Sequence, residues 1–318
     1  MIYREKLSAL CSAVICLMVS GYILYPGFVR AADFPVTLTD ATGKQVTLTK
    51  PPGRIVSMIP SNTEILFALG LSDAIIGVTD YCDYPEEAKQ KPRIGDLMTF
   101  SVERIIGAKP DLVLATKDNP GEVIKGLSEL GITIFVLNPQ TVTGVFDAIT
   151  TIGQLTGRGT QADALVNELR NRMNRVAERV SAIPEDKRVS IFIGNPKFPS
   201  QWSPGPGTFT SDIIALSGGR NIVDDINPGT WGVYSLEQIV AKNPDVILTT
   251  ADGSNMEELA QEILTVANGM AGWRDLNAIK EKRVYAVTGN WIMRPGPRVI
   301  LGVEQLARVL YPEIFVGE

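Results

Sequence analysis

Apolar residues recur along this chain in two patterns, short and mainly apolar runs and longer stretches in which they follow helical spacing. Runs such as residues 54–59 and 112–115 are typical of strands that are buried on both faces of a parallel sheet. Segments such as residues 64–69, for which Ser61 or Thr63 is the expected cap, predict short helices between them. Strands that alternate with helices predict an α/β fold built from small parallel sheets.

One stretch of this pattern occurs twice. Residues 101–116 (SVERIIGAKPDLVLAT) and 235–250 (SLEQIVAKNPDVILTT) align without a gap at an offset of 134 residues. Arg188 follows Arg54 at the same offset, at the start of an apolar run in each half of the chain. An offset shared by two separate places predicts an internal duplication, and therefore two similar lobes with a ligand held between them.

Residues 144–183 interrupt the alternation with a longer amphipathic pattern. Its apolar residues follow i, i+3, i+4, i+7 spacing: Ala162, Leu165, Val166, Leu169, Met173, Val176 and Val180. This spacing predicts a helix of about 22 residues and about 33 Å, long enough to pass from one lobe to the other. The predicted organisation is an N-terminal lobe at 32–143, a connecting helical segment at 144–183 and a C-terminal lobe at 184–318.

The first residues differ from the rest of the chain. Two basic residues precede an uncharged run from Leu7 to Val29, and small residues stand near Ala31. This order is typical of a secretory signal peptide, here residues 1–31. An uncleaved anchor is the alternative, because the uncharged run is long enough to span a bilayer, and lipidation of a cysteine in this segment stays open. We expect an exported protein, in the periplasm or at the outer face of the cytoplasmic membrane.

Composition narrows the chemistry. The chain has no histidine and a formal net charge of −5. Zinc sites, Ser-His-Asp triads and haem held by histidine therefore lack a required group. No Lys/Arg run indicates nucleic-acid binding, and no dinucleotide or phosphate-loop motif is present. Carboxylates for acid–base hydrolysis are plentiful, but none is marked as a catalytic pair by its context. We predict a protein that is not an enzyme, with no catalytic residue, metal site or cofactor.

Short motifs follow one another over nearly the whole mature chain: Arg54-Ile-Val-Ser with Pro60-Ser-Asn-Thr-Glu64, Asp80-Tyr-Cys-Asp-Tyr-Pro85, Glu103-Arg-Ile with Lys109-Pro-Asp-Leu, Gly218-Gly-Arg-Asn-Ile222, Glu237-Gln-Ile with Asn243-Pro-Asp, and Arg294-Pro-Gly-Pro-Arg298. In order and spacing they resemble the cobalamin and iron-siderophore substrate-binding proteins of bacterial ABC importers, the helical-backbone class of periplasmic binding proteins. The resemblance implies two similar α/β lobes joined by one long rigid helix, with modest closure on the ligand. It also implies a monomer that delivers a small molecule to an ABC permease and its ATPase.

Aromatic residues mark the predicted ligand site. Tyr81, Trp231 and Trp291 match positions in cobalamin binders where Trp and Tyr side chains surround the flat macrocycle. Trp202 stands in a Pro/Gly-rich loop, and open α/β sheets bind ligands in the loops at their strand ends. For at least one of the loop tryptophans, packing under its own loop is the expected alternative.

Two arginines and a tyrosine keep other ligands open. Arginine in a cleft suits the carboxylate or hydroxamate oxygens of a ferric siderophore, so Arg294 is a candidate ligand-binding residue. Arg298 is instead predicted to form a structural salt bridge at the start of a helix. Tyr81 is alternatively a phenolate ligand of haem iron. Cobalamin or a related corrinoid is the favoured ligand, and a ferric siderophore or haem is the alternative ligand. A further alternative is that the protein is a sensory or surface module without a transport role.

Two glutamates occupy equivalent positions of the repeat. Glu103 and Glu237 each stand in the first turn of a predicted helix, where the helix dipole alone favours a carboxylate by ~0.3–1 kcal/mol. In similar proteins, matching glutamates dock onto arginines of the membrane permease, one from each lobe. The resemblance therefore implies that Glu103 and Glu237 are the permease-docking residues.

Overall fold

The computed structural model describes residues 34–253 and 255–316, so the predicted signal peptide lies outside the described residues. The first part of the described chain contains six strands: β1 (Val36–Thr39), β2 (Gln45–Leu48), β3 (Ile55–Ser57), β4 (Ile75–Val78), β5 (Leu112–Thr116) and β6 (Ile134–Leu137). Strands β1 and β2 pair as an antiparallel hairpin, and the other four form a parallel sheet in the order β4-β3-β5-β6. This sheet is the centre of the N-terminal lobe.

Helices follow these strands and then connect the lobes. Those of the N-terminal lobe are α1 (Pro60–Ala68), α2 (Val102–Gly107) and α3 (Gly121–Glu129), with 3-10 turns at Ser72–Ala74 and Glu86–Gln90. Two longer helices come next, α4 (Val142–Thr156) and α5 (Gly159–Val180). Helix α5 has 22 residues, the length that its periodicity predicts.

The rest of the chain contains six more strands: β7 (Ser190–Ile193), β8 (Gln201–Pro204), β9 (Arg220–Asn221), β10 (Trp231–Tyr234), β11 (Val246–Ala251) and β12 (Val284–Thr288). Its helices are α6 (Phe209–Leu216), α7 (Leu236–Lys242), α8 (Met256–Asn268), α9 (Asn277–Lys280), α10 (Gly289–Ile292) and α11 (Val299–Leu310), with 3-10 turns at Glu185–Lys187 and Trp273–Asp275. None of the helices in the described ranges combines the length and apolar character needed to span a membrane.

The second parallel sheet repeats the topology of the first. It runs in the order β12-β11-β7-β9, while β8 and β10 form a separate antiparallel ribbon. Numbered by their occurrence within each sheet, the strands lie in the order second, first, third, fourth in both lobes. The predicted α/β fold with two similar lobes and small parallel sheets is confirmed, whereas the residue boundaries of the lobes stay a prediction.

The register of the sheets corrects one part of the repeat. Asp111 accepts hydrogen bonds from the backbone N–H groups of Gly53 and Arg54 at 2.9 and 3.0 Å. Its counterpart Asp245 accepts one from the N–H of Ser190 at 2.9 Å. Ser190, not Arg188, is therefore the counterpart of Arg54, and the predicted match was wrong. The offset between the two halves of the chain stays constant only where neither half has an inserted residue. The apolar run around Arg188 does not reveal such an insertion.

Helix α1 begins earlier than its sequence pattern predicts. Pro60 is its first residue, because the fixed φ of proline suits the first turn and its missing N–H costs nothing there. Ser61 and Thr63 lie inside the helix, so the prediction that one of them caps it was wrong. Thr63 instead donates a hydrogen bond to Oγ of Ser57 at 2.8 Å.

One buried apolar cluster runs through both lobes. Alternate residues of the central strands face it, Ile55 and Leu112 from one sheet and Ile191 and Val246 from the other. Helix α5 contributes buried side chains along its length: Ala162, Val166, Leu169, Val176 and Val180. The intervening strand residues face two separate clusters, one in each lobe. The lobes are thus joined by a shared core and not only by a linker.

Replacing Leu169, which is buried in the shared cluster, tests this joint core. Leu169→Ala should lower the free energy of unfolding in urea by about 2–5 kcal/mol, because it leaves a cavity. Both lobes should still unfold in one transition, since they share the damaged core. The exposed Leu130 provides the control, and Leu130→Ala should change stability by less than about 0.5 kcal/mol. Separate transitions for the two lobes would contradict the shared core.

Candidate functional site

The carboxyl edge of the C-terminal sheet borders a cavity of about 630 Å³. Ile193 at the end of β7 and Thr249 and Thr250 on β11 form its base, and Trp202 and Trp231 line it from the ribbon. Open α/β sheets bind ligands at this edge, because loops diverge there and leave a crevice. Two of the predicted ligand-binding residues therefore lie in one cavity.

The ribbon of β8 and β10 presents an aromatic face. Trp202 pairs with Val233, and Val233 is two residues from Trp231, so strand alternation places all three side chains on one side. All three are exposed, Trp202 to 60% of its surface, while Ser203 and Tyr234 on the opposite side are buried. Exposed tryptophans that cluster beside a cavity are typical of a surface that a ligand covers.

Sequence reasoning missed two residues of this cavity. Phe198 and Met293 both line it, and both are exposed. The side chain of Gln201 holds the loop of Phe198, since its Nε2 donates to the carbonyl oxygens of Asn195 at 3.0 Å and Phe198 at 2.7 Å. Two features of the sequence could have identified these residues. They are the Pro/Gly-rich composition of the loop of Phe198 and the position of Met293 next to Arg294.

Two other predicted ligand residues follow edge strands of the two sheets, one in each lobe. Tyr81 is exposed in the loop after β4 of the N-terminal lobe, and Trp291 is half-buried on α10, directly after β12. Neither they nor Arg294 are among the described residues that line the cavity of Trp202 and Trp231. Their role as ligand contacts stays a prediction.

Arg294 is engaged by the N-terminal lobe. Its Nη1 lies 2.6 Å from Oδ1 of Asp83 and 3.6 Å from Oε1 of Glu64. Partial burial raises the pKa of Asp83, but the hydrogen bond and the charge of Arg294 lower it by more, so the pKa lies below its usual value. At neutral pH the charge of Arg294 is therefore balanced within the protein.

Arg298 forms a two-hydrogen-bond pair with Glu64 across the lobes. Its Nε and Nη2 donate to Oε2 and Oε1 of Glu64 at 2.9 and 2.6 Å. Glu64 is only 3% exposed, and the guanidinium lies 4.0 Å from the centre of the Tyr84 ring. Burial lowers the pKa of Arg298, but the hydrogen bond to Glu64 together with the charges of Glu64, Tyr84 and Asp83 outweighs this effect and leaves the pKa raised. The predicted structural salt bridge of Arg298, at the start of α11, is confirmed.

The two predicted docking glutamates occupy matching helix starts. Glu103 and Glu237 are both exposed in the first turns of α2 and α7. Ser101 and Ser235 cap these helices, each accepting a hydrogen bond from a backbone N–H three residues on. The backbone N–H of Glu237 and the hydroxyl of Ser235 lower the pKa of the Glu237 carboxyl, which is ionised at neutral pH.

Helices α2 and α7, which we call the docking helices after the predicted role of their glutamates, begin at the carboxyl edges of the two sheets. A helix packed on a parallel sheet runs antiparallel to the strand that follows it, so the starts of α2 and α7 face the carboxyl edges of the sheets. Strand β10, which carries Trp231, leads directly into α7. The predicted docking residue Glu237 and the aromatic cavity therefore lie at the same edge of the C-terminal sheet.

The sequence profile of the periplasmic binding proteins matches residues 55–290. The chain belongs to the periplasmic binding protein family. It is 37% identical over 286 residues to an uncharacterized ABC transporter substrate-binding lipoprotein of Bacillus subtilis, a match that covers 89% of this chain and 87% of the relative. It is 32% identical over 290 residues to a cobalamin-binding protein of Halobacterium salinarum, covering 89% and 76%.

A solved structure shows the same architecture. A possible iron-binding (periplasmic solute-binding) protein from Staphylococcus epidermidis superimposes with a TM-score of 0.68 at 33% identity, covering 82% of this chain and all 100% of its own. The resemblance inferred from the sequence motifs is thus confirmed at the level of family and fold. The names of the relatives differ in the ligand they state.

The Asp83–Arg294 pair of this periplasmic binding protein gives a pH-dependent test. Because its pKa is lowered by folding, Asp83 contributes stability that is complete above its unfolded pKa and lost as the pH falls through the folded one. The free energy of unfolding should therefore fall more between about pH 5 and about pH 2 in the wild type than in Asp83→Asn. Asp118→Asn, the same change at another exposed acid, should keep the wild-type slope. Equal slopes for Asp83→Asn and the wild type would contradict the pairing.

Proposed function

We propose that this protein binds cobalamin or a related corrinoid between its lobes and delivers it to an ABC permease and its ATPase. The observation that carries the proposal is the chemistry of the cavity at Trp202 and Trp231. None of the described residues that line it carries a charge, and apart from Ser200 its exposed side chains are aromatic or apolar. A broad, flat and largely uncharged macrocycle is the kind of ligand that such a wall buries favourably.

The state of Arg294 supports a corrinoid over an anionic chelate. A ferric siderophore or haem offers carboxylate or hydroxamate oxygens, which an arginine in the cleft would bind. Arg294 is already held by Asp83 at 2.6 Å and lies 3.6 Å from Glu64. An anionic ligand would have to displace Asp83, whereas an uncharged ring leaves the pair intact.

A ferric siderophore or haem is the second candidate. Tyr81 is exposed at the end of β4 and offers a phenol, a group that binds haem iron as a phenolate. The Staphylococcus epidermidis protein is also described as a possible iron-binding protein. These two observations favour an iron chelate, but they do not account for the uncharged aromatic wall.

Delivery to a permease is supported by two observations. The Bacillus subtilis relative is described as a substrate-binding lipoprotein of an ABC transporter, which also supports export of this chain. Glu103 and Glu237 stand exposed at equivalent helix starts, as a partner with one basic site for each lobe would require. In this proposal the protein acts as a monomer and as a carrier, not as an enzyme.

Tryptophan fluorescence distinguishes the candidate ligands. Cyanocobalamin, haemin and a ferric hydroxamate siderophore are titrated separately into the protein. Cyanocobalamin should quench strongly and saturably, because Trp202 and Trp231 lie in the proposed site. In Trp202→Ala with Trp231→Ala, its affinity, measured by equilibrium dialysis, should fall about tenfold or more.

The matched control removes an exposed apolar side chain elsewhere. Leu130→Ala, on the N-terminal lobe after α3, should bind cyanocobalamin as the wild type does. No response to cyanocobalamin, together with saturable quenching by haemin or the ferric siderophore, would reverse the order of the two candidates.

A further inference from the structure

Each docking helix carries an exposed apolar side chain three residues after its glutamate. Ile106 on α2 is 41% exposed and Val240 on α7 is 40% exposed. Residues three apart lie on the same face of a helix, so each apolar side chain is next to its glutamate. We call Glu103 with Ile106 the N-lobe patch, and Glu237 with Val240 the C-lobe patch.

The two patches are presented in the same way. Ile105 and Ile239 are fully buried at equivalent positions of the docking helices, which fixes the face that each helix turns outward. At equivalent positions after the start of each helix, Lys109 and Asn243 both adopt the left-handed conformation, with φ of 49° and 41°. The duplication therefore repeats the orientation of the patch as well as its sequence.

A single exposed apolar residue needs no explanation, because such residues are common on protein surfaces. Here the exposure recurs in both lobes, although a neighbour on the same helices differs in charge. Arg104 follows the first glutamate and Gln238 follows the second. The glutamate and the exposed apolar residue therefore occur in both lobes, whereas the residue directly after the glutamate differs.

We infer that Ile106 and Val240 are part of the surface that binds the permease, an inference that rests on the docking role proposed for the two glutamates. The partner surface that fits each patch has a basic side chain beside an apolar depression. Because the patch occurs twice, the partner presents this basic and apolar surface twice, either as two copies of one chain or as an internal duplication within one chain. The glutamates steer association and are screened by salt, whereas the apolar contacts hold the docked complex at any salt concentration.

The test measures binding of the protein to the ABC permease–ATPase complex of its proposed importer, reconstituted in nanodiscs. Affinity is compared at about 0.05 M and about 0.5 M NaCl, where the Debye length differs severalfold. Ile106→Ser with Val240→Ser should weaken binding about tenfold at both salt concentrations. Glu103→Gln with Glu237→Gln should weaken it mainly at low salt.

The matched control is Leu130→Ser with Val316→Ser, which removes two exposed apolar side chains outside the patches and should leave affinity within about twofold of wild type. Urea unfolding shows that each variant is folded. Wild-type affinity for Ile106→Ser with Val240→Ser, with loss of binding by the glutamate variant, would overturn this inference and leave the proposed docking role standing. Wild-type affinity for both variants would overturn the docking role as well.

Discussion

The continuous apolar core around α5 is the constraint on which the rest of the structure depends. Buried side chains of α5, such as Val166 and Val176, belong to one cluster with the central strands of both sheets. A movement of one lobe against the other would expose part of that cluster to water, which costs free energy in proportion to the area exposed. We therefore expect the edges of the cleft to keep a fixed spacing in the absence of ligand, so that binding loses little conformational entropy.

The ion pairs between the lobes depend on the same close packing of the two lobes. Glu64 is almost completely buried where the lobes meet, and a buried carboxylate is costly unless it is paired and hydrogen-bonded. Arg298 supplies both hydrogen bonds, and Arg294 is shared between Glu64 and Asp83. Arg294, the arginine that the sequence offers to an anionic ligand, is thereby engaged within the protein. In the function that we propose, the uncharged aromatic wall of the cavity recognises the ligand. We therefore favour a macrocycle over an anionic chelate.

The sequence predicts this fold well because periodicity and internal repetition are local properties. The length of α5 and the two similar sheets follow from them. The counterpart of Arg54 could not be predicted, because an insertion of two residues is not visible in an apolar run. The partner of Arg298 lies 234 residues away, and Phe198 and Met293 reach the cavity only through the folding of separate loops. Such contacts depend on tertiary packing, which the local pattern of residues along the sequence does not reveal.

The distance between the lobes in the absence of ligand tests this account most directly. Spin labels on Leu130→Cys and Met270→Cys, two exposed positions in different lobes, report it by electron–electron double resonance, with Cys11 and Cys16 replaced by serine. Cys82 is buried and should stay unlabelled. A shared core predicts one narrow distance distribution that moves only slightly on addition of cyanocobalamin. Two populations, or a broad distribution in the free protein, would contradict it.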